Sequence, residues 1–264
     1  MQVLFDDNEP TVSEDMILVS SVSALKRIGI LGGSSDQATV DYYVRLNKAV
    51  NRREGGQNTA ELIINSMNFA FSAACVIEER WDDLGAYLAD RAVALERAGA
   101  ELLICVSNTL HKTAPIFLAD VHVPFLHIVD PTARAIQRQG LKKVALLGTK
   151  PVMAGTHISS RYEELFGIET IVPDDAGQHL VNQIIFDELC AGVFTAESKG
   201  RYLDVMADLE KRGAQGVILG CTEIPLLVSQ ADRPDFPMFD TTGLHVEEAV
   251  DFSLGAPLLE PALR

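Results

Sequence analysis

Short apolar runs alternate with amphipathic segments along most of the chain. The runs are rich in Ile, Val and Leu, are bounded by Gly or Pro, and cover residues 28–31, 62–65, 102–106, 144–147 and 216–219. Apolar runs this short are typical of strands that are buried on both faces of a parallel sheet. Between them, apolar residues recur at helical spacing over residues 39–53, 81–98, 178–191 and 198–212. The alternation predicts an α/β fold in which helices flank parallel sheets.

The sequence also repeats itself, in three pairs of segments that keep the same order at a nearly constant offset of 113 to 116 residues. The pairs are 25–32 with 141–148, 95–100 with 209–214, and 123–126 with 236–239. General α/β similarity is the alternative explanation, since Gly-Ala before an apolar strand is common. The constant offset favours a duplication. It predicts two similar lobes related by a pseudo-two-fold axis, with a cleft between them at the carboxyl ends of the strands.

The repeat also suggests how the chain is divided. We expect residues 1–24 to form an N-terminal extension, and residues 25–122 plus about 240–264 to form the first lobe. Residues 123–239 are expected to form the second lobe.

Composition narrows the functional classes. The 264 residues include 22 Lys+Arg and 37 Asp+Glu, a formal net charge of −15. This balance argues against a nucleic-acid partner, and no apolar stretch approaches the ~20 residues of a membrane-spanning helix. The four cysteines form no Cys-x-x-Cys pair and the six histidines show no metal spacing, so neither a disulfide framework nor a metal site is predicted. Five acidic residues among the first fifteen are unlike a secretory signal, which predicts a cytoplasmic protein.

The repeat superposes two residues that can handle protons. An offset of 114 pairs Ser107 with Cys221, each at the end of a predicted strand. Opposed groups of this kind suit inversion at a carbon acid, because one group removes the α-proton and the other protonates the opposite face. A cysteine is a competent base if its pKa is lowered. We expect the Thr222 hydroxyl and nearby backbone N–H groups to lower it. We expect Glu223 to orient the thiol or to relay a proton. Serine is a poorer base, and the alternative for Cys221 is a buried, inert thiol.

These segments resemble a known family. Residues 220–224 (GCTEI), 107–112 (SNTLHK) and 28–33 (IGILGG) are similar to the aspartate/glutamate racemases, and the likeness extends over about residues 27–254. Residues 65–66, 183–188 and 239–241 are also similar to the bacterial amino-acid racemase branch. The resemblance implies a homodimer that inverts the α-carbon of aspartate or glutamate, a small acidic substrate, without any cofactor.

The family's functional residues map onto this chain as follows. Cys221 matches one catalytic cysteine, and Ser107 stands where a second cysteine is usual, although some members carry threonine there. Side chains that match or resemble substrate-binding positions are Asn65, Ser66, Asn108, Thr109, Thr149, Thr222 and Glu223. Arg53 resembles the arginine that pairs with the substrate's side-chain carboxylate; an exposed charge at a helix end is the alternative.

The chain departs from the family at three places. Residues 32–36 read GGSSD where many members have GGMGP, although Ser35 and backbone N–H groups could still cradle a carboxylate. A lysine that serves the distal carboxylate in some members has no match, and Arg161 is its candidate substitute. Serine at position 107 predicts slow or strongly one-directional racemisation. Two alternatives stay open: a related single-cysteine isomerase or decarboxylase, and a non-catalytic paralogue that binds acidic amino acids. A decarboxylase of this kind needs an apolar aryl pocket, which we do not expect in this chain.

Overall fold

Eight short strands form two parallel sheets in the computed structural model, which describes residues 25–259. The first sheet has the order β2-β1-β3-β4, with β1 Ile28–Gly32, β2 Leu62–Ser66, β3 Leu102–Cys105 and β4 Phe125–Leu126. The second has the order β6-β5-β7-β8, with β5 Lys143–Gly148, β6 Glu169–Ile171, β7 Val217–Gly220 and β8 Met238–Asp240. The predicted N-terminal extension lies outside the described residues.

The two sheets have the same strand order, which confirms the prediction of two similar α/β lobes. The third pair of repeated segments supplies the edge strands β4 and β8. Strand β4 pairs with β3, so the first sheet extends past residue 122, where the expected boundary stood. The expected boundary was wrong because it was placed at the start of the repeated segment, and that segment forms the edge strand of each sheet.

Helices cover both faces of each sheet. Their bounds are α1 Asp36–Glu54, α2 Phe69–Ile77, α3 Trp81–Arg97, α4 Ala114–Phe117, α5 Val129–Arg138, α6 Lys150–Ala154, α7 Thr156–Phe166, α8 Asp175–Asp187, α9 Ala196–Lys211, α10 Ile224–Leu227 and α11 Thr241–Ser253. Short 3-10 helices span Thr109–Thr113, Leu189–Ala191 and Gln230–Asp232. Within residues 25–259, no helix combines the length and apolarity that crossing a bilayer requires.

The central strands are buried because each is covered on both faces. All residues of β1, β3 and β7 are buried, whereas the edge strand β2 leaves Ile64 exposed. Helix α11 follows a strand of the second sheet, yet it packs its buried residues against α1 in a core of the first sheet. The chain therefore crosses back to the first lobe after β8.

The loop between β1 and α1 is shaped by Gly33. Its φ of +83° is in the left-handed region, and a Cβ there would lie 2.3 Å from Met67 O. Glycine is required at such a position because other residues pay a steric penalty. The turn places Ser35 at the N-cap of α1, where its Oγ accepts a hydrogen bond from Ala38 N.

Candidate active site

The turns after β3 and β7 occupy equivalent places at the carboxyl edges of the two sheets. Val106 still donates from its N–H to Leu31 O, and Ser107 is the next residue. Cys221 directly follows Gly220, the last residue of β7. Both Ser107 and Cys221 line one cavity of about 260 Å³.

Residues from both lobes form the wall of this cavity. The polar side chains come from the strand-end turns, from α2 and from α8; they are Ser34, Ser72, Ser107, Asn108, Thr109, Thr149, Asn182, Cys221, Thr222 and Glu223. An apolar wall is formed by α2, α8 and their neighbours, with Phe69, Ala73, Val76, Ile77, Leu110, Ile185 and Phe186. Seven of the twelve residues that the sequence assigned to the site therefore line the cavity.

Glu223 is the centre of the hydrogen bonds on the cysteine side. Its Oε2 accepts from Cys221 Sγ at 3.0 Å and from Thr222 Oγ1 at 2.6 Å. Its Oε1 accepts from Ser35 Oγ at 2.8 Å, a contact that joins the start of α1 in the first lobe to the turn after β7 in the second. The side chain is almost completely buried, so this carboxylate is held in place beside the thiol by three donors.

This environment keeps the Cys221 thiol protonated. Burial raises its pKa well above the ordinary value, and the adjacent Glu223 carboxylate raises it further. The backbone N–H of Glu223 acts in the opposite direction with a smaller effect. The expectation that the Thr222 hydroxyl lowers this pKa is wrong, because Thr222 Oγ1 donates to Glu223 and not to the sulfur.

The serine side is held through the backbone. His111 Nε2 accepts a hydrogen bond from Ile128 N at 3.2 Å, so its Nδ1 carries the proton and donates to Ser107 O at 2.7 Å. Burial lowers the pKa of His111 to about 3, which keeps the ring neutral. No described side chain hydrogen-bonds to Ser107 Oγ.

Hydroxyl and amide groups connect the turn after β3 to residues that follow β5 and β8 of the second sheet. Thr109 Oγ1 lies 2.9 Å from Thr149 Oγ1, and Asn108 Nδ2 donates to Thr241 Oγ1 at 3.2 Å. These groups are neutral and lie beside the reactive side chains, so they can bind the charged ends of a small ligand by hydrogen bonds.

The first loop does not form the predicted carboxylate cradle. Ser35 is buried and its Oγ is used by Glu223 and by the N-terminus of α1, and the Gly33 N–H donates to Thr39 Oγ1 at 2.8 Å. Ser34 lines the cavity instead, with its hydroxyl donating to Val106 O. Asn65 and Ser66, at the carboxyl end of β2, do not line the cavity.

Arg53 is not in the site. It lies at the far end of α1 and pairs with Glu247 at 2.7 Å and with Asp251, both on α11. Helix α1 begins at the cavity side and runs for 19 residues, which at ~1.5 Å per residue carries its last turn almost 30 Å away. The alternative interpretation of Arg53, an exposed charge at the end of a helix, is therefore the correct one.

Arg161 is also engaged elsewhere. Its Nε and one terminal nitrogen contact the two carboxylate oxygens of Asp130 at 2.6 and 2.7 Å. Both side chains are almost buried, and the guanidinium opposes the rise that burial produces in the pKa of Asp130. This geometry is that of a structural bidentate ion pair linking α7 to α5.

Several wall residues were missed by the sequence reasoning. Cys190 was not assigned to the site from the sequence, yet it lines the cavity beside α8. Helix α2, with the apolar sequence FAFSAACVI, was not assigned to the site. Phe69 and Ile77 at its ends are exposed, and a very apolar helix beginning three residues after a strand is the signal that could have indicated a ligand-covering element. Among residues 25–259, no group of three or more His, Cys, Asp or Glu side chains is arranged to hold a metal ion.

A family model and two relatives of known name agree on the type of protein that this chain is similar to. The chain matches the family model described as Asp/Glu/Hydantoin racemase over residues 28–249. It is 28% identical over 163 residues to the broad specificity amino-acid racemase RacX of Bacillus subtilis, covering 60% of this chain and 69% of that protein. It is 33% identical over 175 residues to a glutamate racemase of Roseiflexus, covering 63% and 60%.

Solved structures with the same fold include two close neighbours. A Yersinia pestis protein provisionally assigned as an Asp/Glu racemase has a TM-score of 0.81 at 39% identity, covering 87% of this chain and 100% of that one. An aspartate racemase homologue from Pyrococcus horikoshii has a TM-score of 0.75 at 35% identity, covering 87% and 99%.

Proposed function

The chain belongs to the Asp/Glu/hydantoin racemase family, and we propose that it inverts the α-carbon of an amino acid by proton transfer on two faces, without a cofactor. The observation that carries the proposal is that Ser107 and Cys221 line one cavity from equivalent turns of the two lobes. An α-proton removed from one side can then be replaced from the other.

The cysteine side supplies the base. Cys221 Sγ donates to Glu223 Oε2, so the thiol proton passes to this carboxylate and leaves a thiolate. The thiolate takes the α-proton of the substrate and becomes a thiol again, and Glu223 retains the first proton. Glu223 is therefore the proton acceptor of this step, since burial and the Glu223 charge together keep the thiol protonated until the proton is transferred.

The serine side completes the inversion. The Ser107 hydroxyl donates its proton to the opposite face of the carbanion. The resulting alkoxide recovers a proton through solvent from Glu223, which restores both groups. Ser107 Oγ has no described acceptor comparable to Glu223, so we propose that this step is the slower one.

The neutral polar groups that line the cavity with Ser107 and Cys221 bind the reacting end of the substrate. We propose that Asn108, Thr109 and Thr149 hydrogen-bond the α-carboxylate, and that Glu223 and Thr222 face the α-ammonium group. The names of the relatives make aspartate and glutamate the first substrates to test. A homodimer is a further part of the proposal, which light scattering of the purified protein can test.

The proposal is tested by following deuterium incorporation at the α-carbon. A panel containing both enantiomers of acidic, amide and apolar amino acids is incubated with the protein in D2O between pH 7 and 9. We expect exchange that is lost in Cys221→Ala. Absence of exchange and of inversion with every member of the panel would refute the proposed function.

A second candidate function is decarboxylation by a single cysteine, in which the thiol protonates an enolate after carbon dioxide leaves. The sequence argued against it because no aryl pocket was expected, but the cavity has an extensive apolar wall that includes Phe69 and Phe186. Carbon dioxide release from an α-aryl malonate, in the absence of amino-acid exchange, would favour this candidate.

A further inference from the structure

The described wall of the cavity contains one carboxylate and no cationic side chain. Glu223 is its single carboxylic acid, and no arginine, lysine or histidine is among the residues of the described chain that line it. A side-chain carboxylate of aspartate or glutamate would therefore enter a space that already contains a buried negative charge.

The cations that the sequence suggested for this task are occupied elsewhere. Arg53 pairs with residues of α11 at the far end of α1, and Arg161 forms a bidentate pair with Asp130. Lys112 is close in sequence to the Ser107 turn, but its Nζ lies 3.9 Å from the centroid of the Trp81 ring. Lys150, next to Thr149, is exposed and does not line the cavity.

The balance of charge depends on the substrate's side chain. An amino acid with a neutral side chain brings one ammonium and one carboxylate, and the ammonium offsets Glu223. An acidic amino acid brings a second carboxylate that has only neutral partners. An unpaired charge moved from water into a poorly solvated site is penalised strongly.

The shape and chemistry of the wall fit an apolar group. Helix α2 contributes Phe69, Val76 and Ile77, and α8 contributes Ile185 and Phe186. The volume of about 260 Å³ is smaller than the ~300–1000 Å³ of pockets for drug-sized ligands and suits a single amino acid.

We infer that the side-chain subsite of this cavity accepts an uncharged, apolar side chain, such as that of methionine or leucine, in preference to a carboxylate. The inference rests on the proposed racemase function and specifies the substrate class. We expect kcat/KM for α-proton exchange to be at least about 10-fold higher for methionine than for glutamate, because that ratio needs a difference of only ~1.4 kcal/mol between the two side chains.

The first test compares methionine, leucine, glutamine and glutamate as substrates under one set of conditions. Glutamine and glutamate have nearly the same shape, so their ratio isolates the charge, and methionine against glutamine isolates polarity. The expected order is methionine and leucine first, then glutamine, then glutamate. Exchange of glutamate as fast as that of methionine would overturn the inference while leaving the proposed function intact.

A binding measurement separates this inference from the proposed function. Calorimetric titration of Cys221→Ala with methionine and with glutamate does not depend on turnover. Tighter binding of methionine supports the subsite even if no amino acid exchanges, in which case the proposed function alone fails. Equal or tighter binding of glutamate, or no binding of either, overturns the inference.

A cation can also be added to the wall. Ile77 is 81% exposed, so Ile77→Arg leaves the core intact and places a positive charge at the rim. We expect it to raise the glutamate-to-methionine ratio of kcat/KM by about 2- to 5-fold, the size of a solvent-exposed ion pair. Ile77→Gln is the matched control. An unchanged ratio with arginine, or the same change with glutamine, would count against the inference.

Discussion

The turns that follow β3 and β7 have the same position in the two lobes but differ in what contacts the reactive side chain. Cys221 donates to a buried carboxylate, which is itself held by Thr222 and by Ser35 of the other lobe. Ser107 is fixed through its carbonyl by His111, and its hydroxyl has no described side-chain acceptor. Duplication thus supplied two equivalent positions, and only the second has the partner that a base needs.

This difference has a kinetic consequence. At equilibrium the two enantiomers have equal free energy, so an asymmetric site cannot favour one of them permanently. It can, however, exchange the α-proton on the Cys221 face and return a solvent proton to the same face before Ser107 acts. We therefore expect one enantiomer to exchange its α-proton faster than it inverts.

The largest loss of exchange is expected when Cys221, the side chain with the carboxylate partner, is removed. Cys221→Ala should lower α-deuterium exchange of the faster enantiomer by about 10²- to 10⁴-fold, the contribution typical of a positioned acid or base. Ser107→Ala is the matched change in the other lobe and should reduce inversion while leaving most of that exchange. Equal losses of exchange in the two variants, measured by proton NMR in D2O, would mean that the two turns are functionally alike.

Glu223→Gln tests whether the carboxylate creates the difference. Glutamine keeps the shape and an acceptor oxygen but cannot take the thiol proton at neutral pH, so we expect about a 10- to 100-fold loss of exchange. Loss of the negative charge also lowers the pKa of Cys221, because Glu223 raises it. The thiolate fraction then rises at a lower pH than in the unmodified protein. The loss of exchange in Glu223→Gln, relative to the unmodified protein, should therefore become smaller from pH 7 to pH 10. A loss of exchange that stays constant across this pH range would contradict the role of Glu223 as the proton acceptor.

Much of this arrangement was predictable from the sequence. The apolar runs located β1, β2, β3, β5 and β7, and the repeat aligned Ser107 with Cys221. Strands β4, β6 and β8 have only two or three residues each, too few for a periodic pattern to show. The end of the first sheet was misplaced because the boundary was drawn at a repeated segment that forms the edge strand β4.

The partners of the site residues could not be predicted. Motif position relates Arg53 and Arg161 to a family pattern, but their ion pairs with α11 and α5 depend on how helices distant in sequence pack together. The hydrogen bond between Ser35 and Glu223 spans 188 residues and two lobes. The apolar wall was missed because α2 and α8 are recognisable as helices covering a cleft only when the cleft itself is known.

Ser107→Cys should reduce the difference between the turns. A thiol at this position ionises more readily than a hydroxyl, so it is a better base and a better relay. We expect inversion to accelerate by about 10-fold, a fraction of the full contribution of a positioned acid or base, since no carboxylate like Glu223 is adjacent. The ratio of exchange to inversion should fall towards one. Inversion that stays as slow as in the unmodified protein would show that the missing carboxylate, and not the hydroxyl, limits this side.

The smallest effect on activity is expected from the two arginines that the family pattern assigned to the substrate. Arg53→Ala breaks exposed pairs with Glu247 and Asp251, so we expect unchanged KM values and a loss of at most ~1 kcal/mol in the free energy of unfolding. Arg161→Ala leaves Asp130 buried without its bidentate partner and should cost ~3–5 kcal/mol. Denaturant unfolding compares these losses, and KM for glutamate provides the decisive comparison. A large rise in KM for glutamate in Arg53→Ala alone would place that arginine in the site after all and would remove the basis for an apolar subsite.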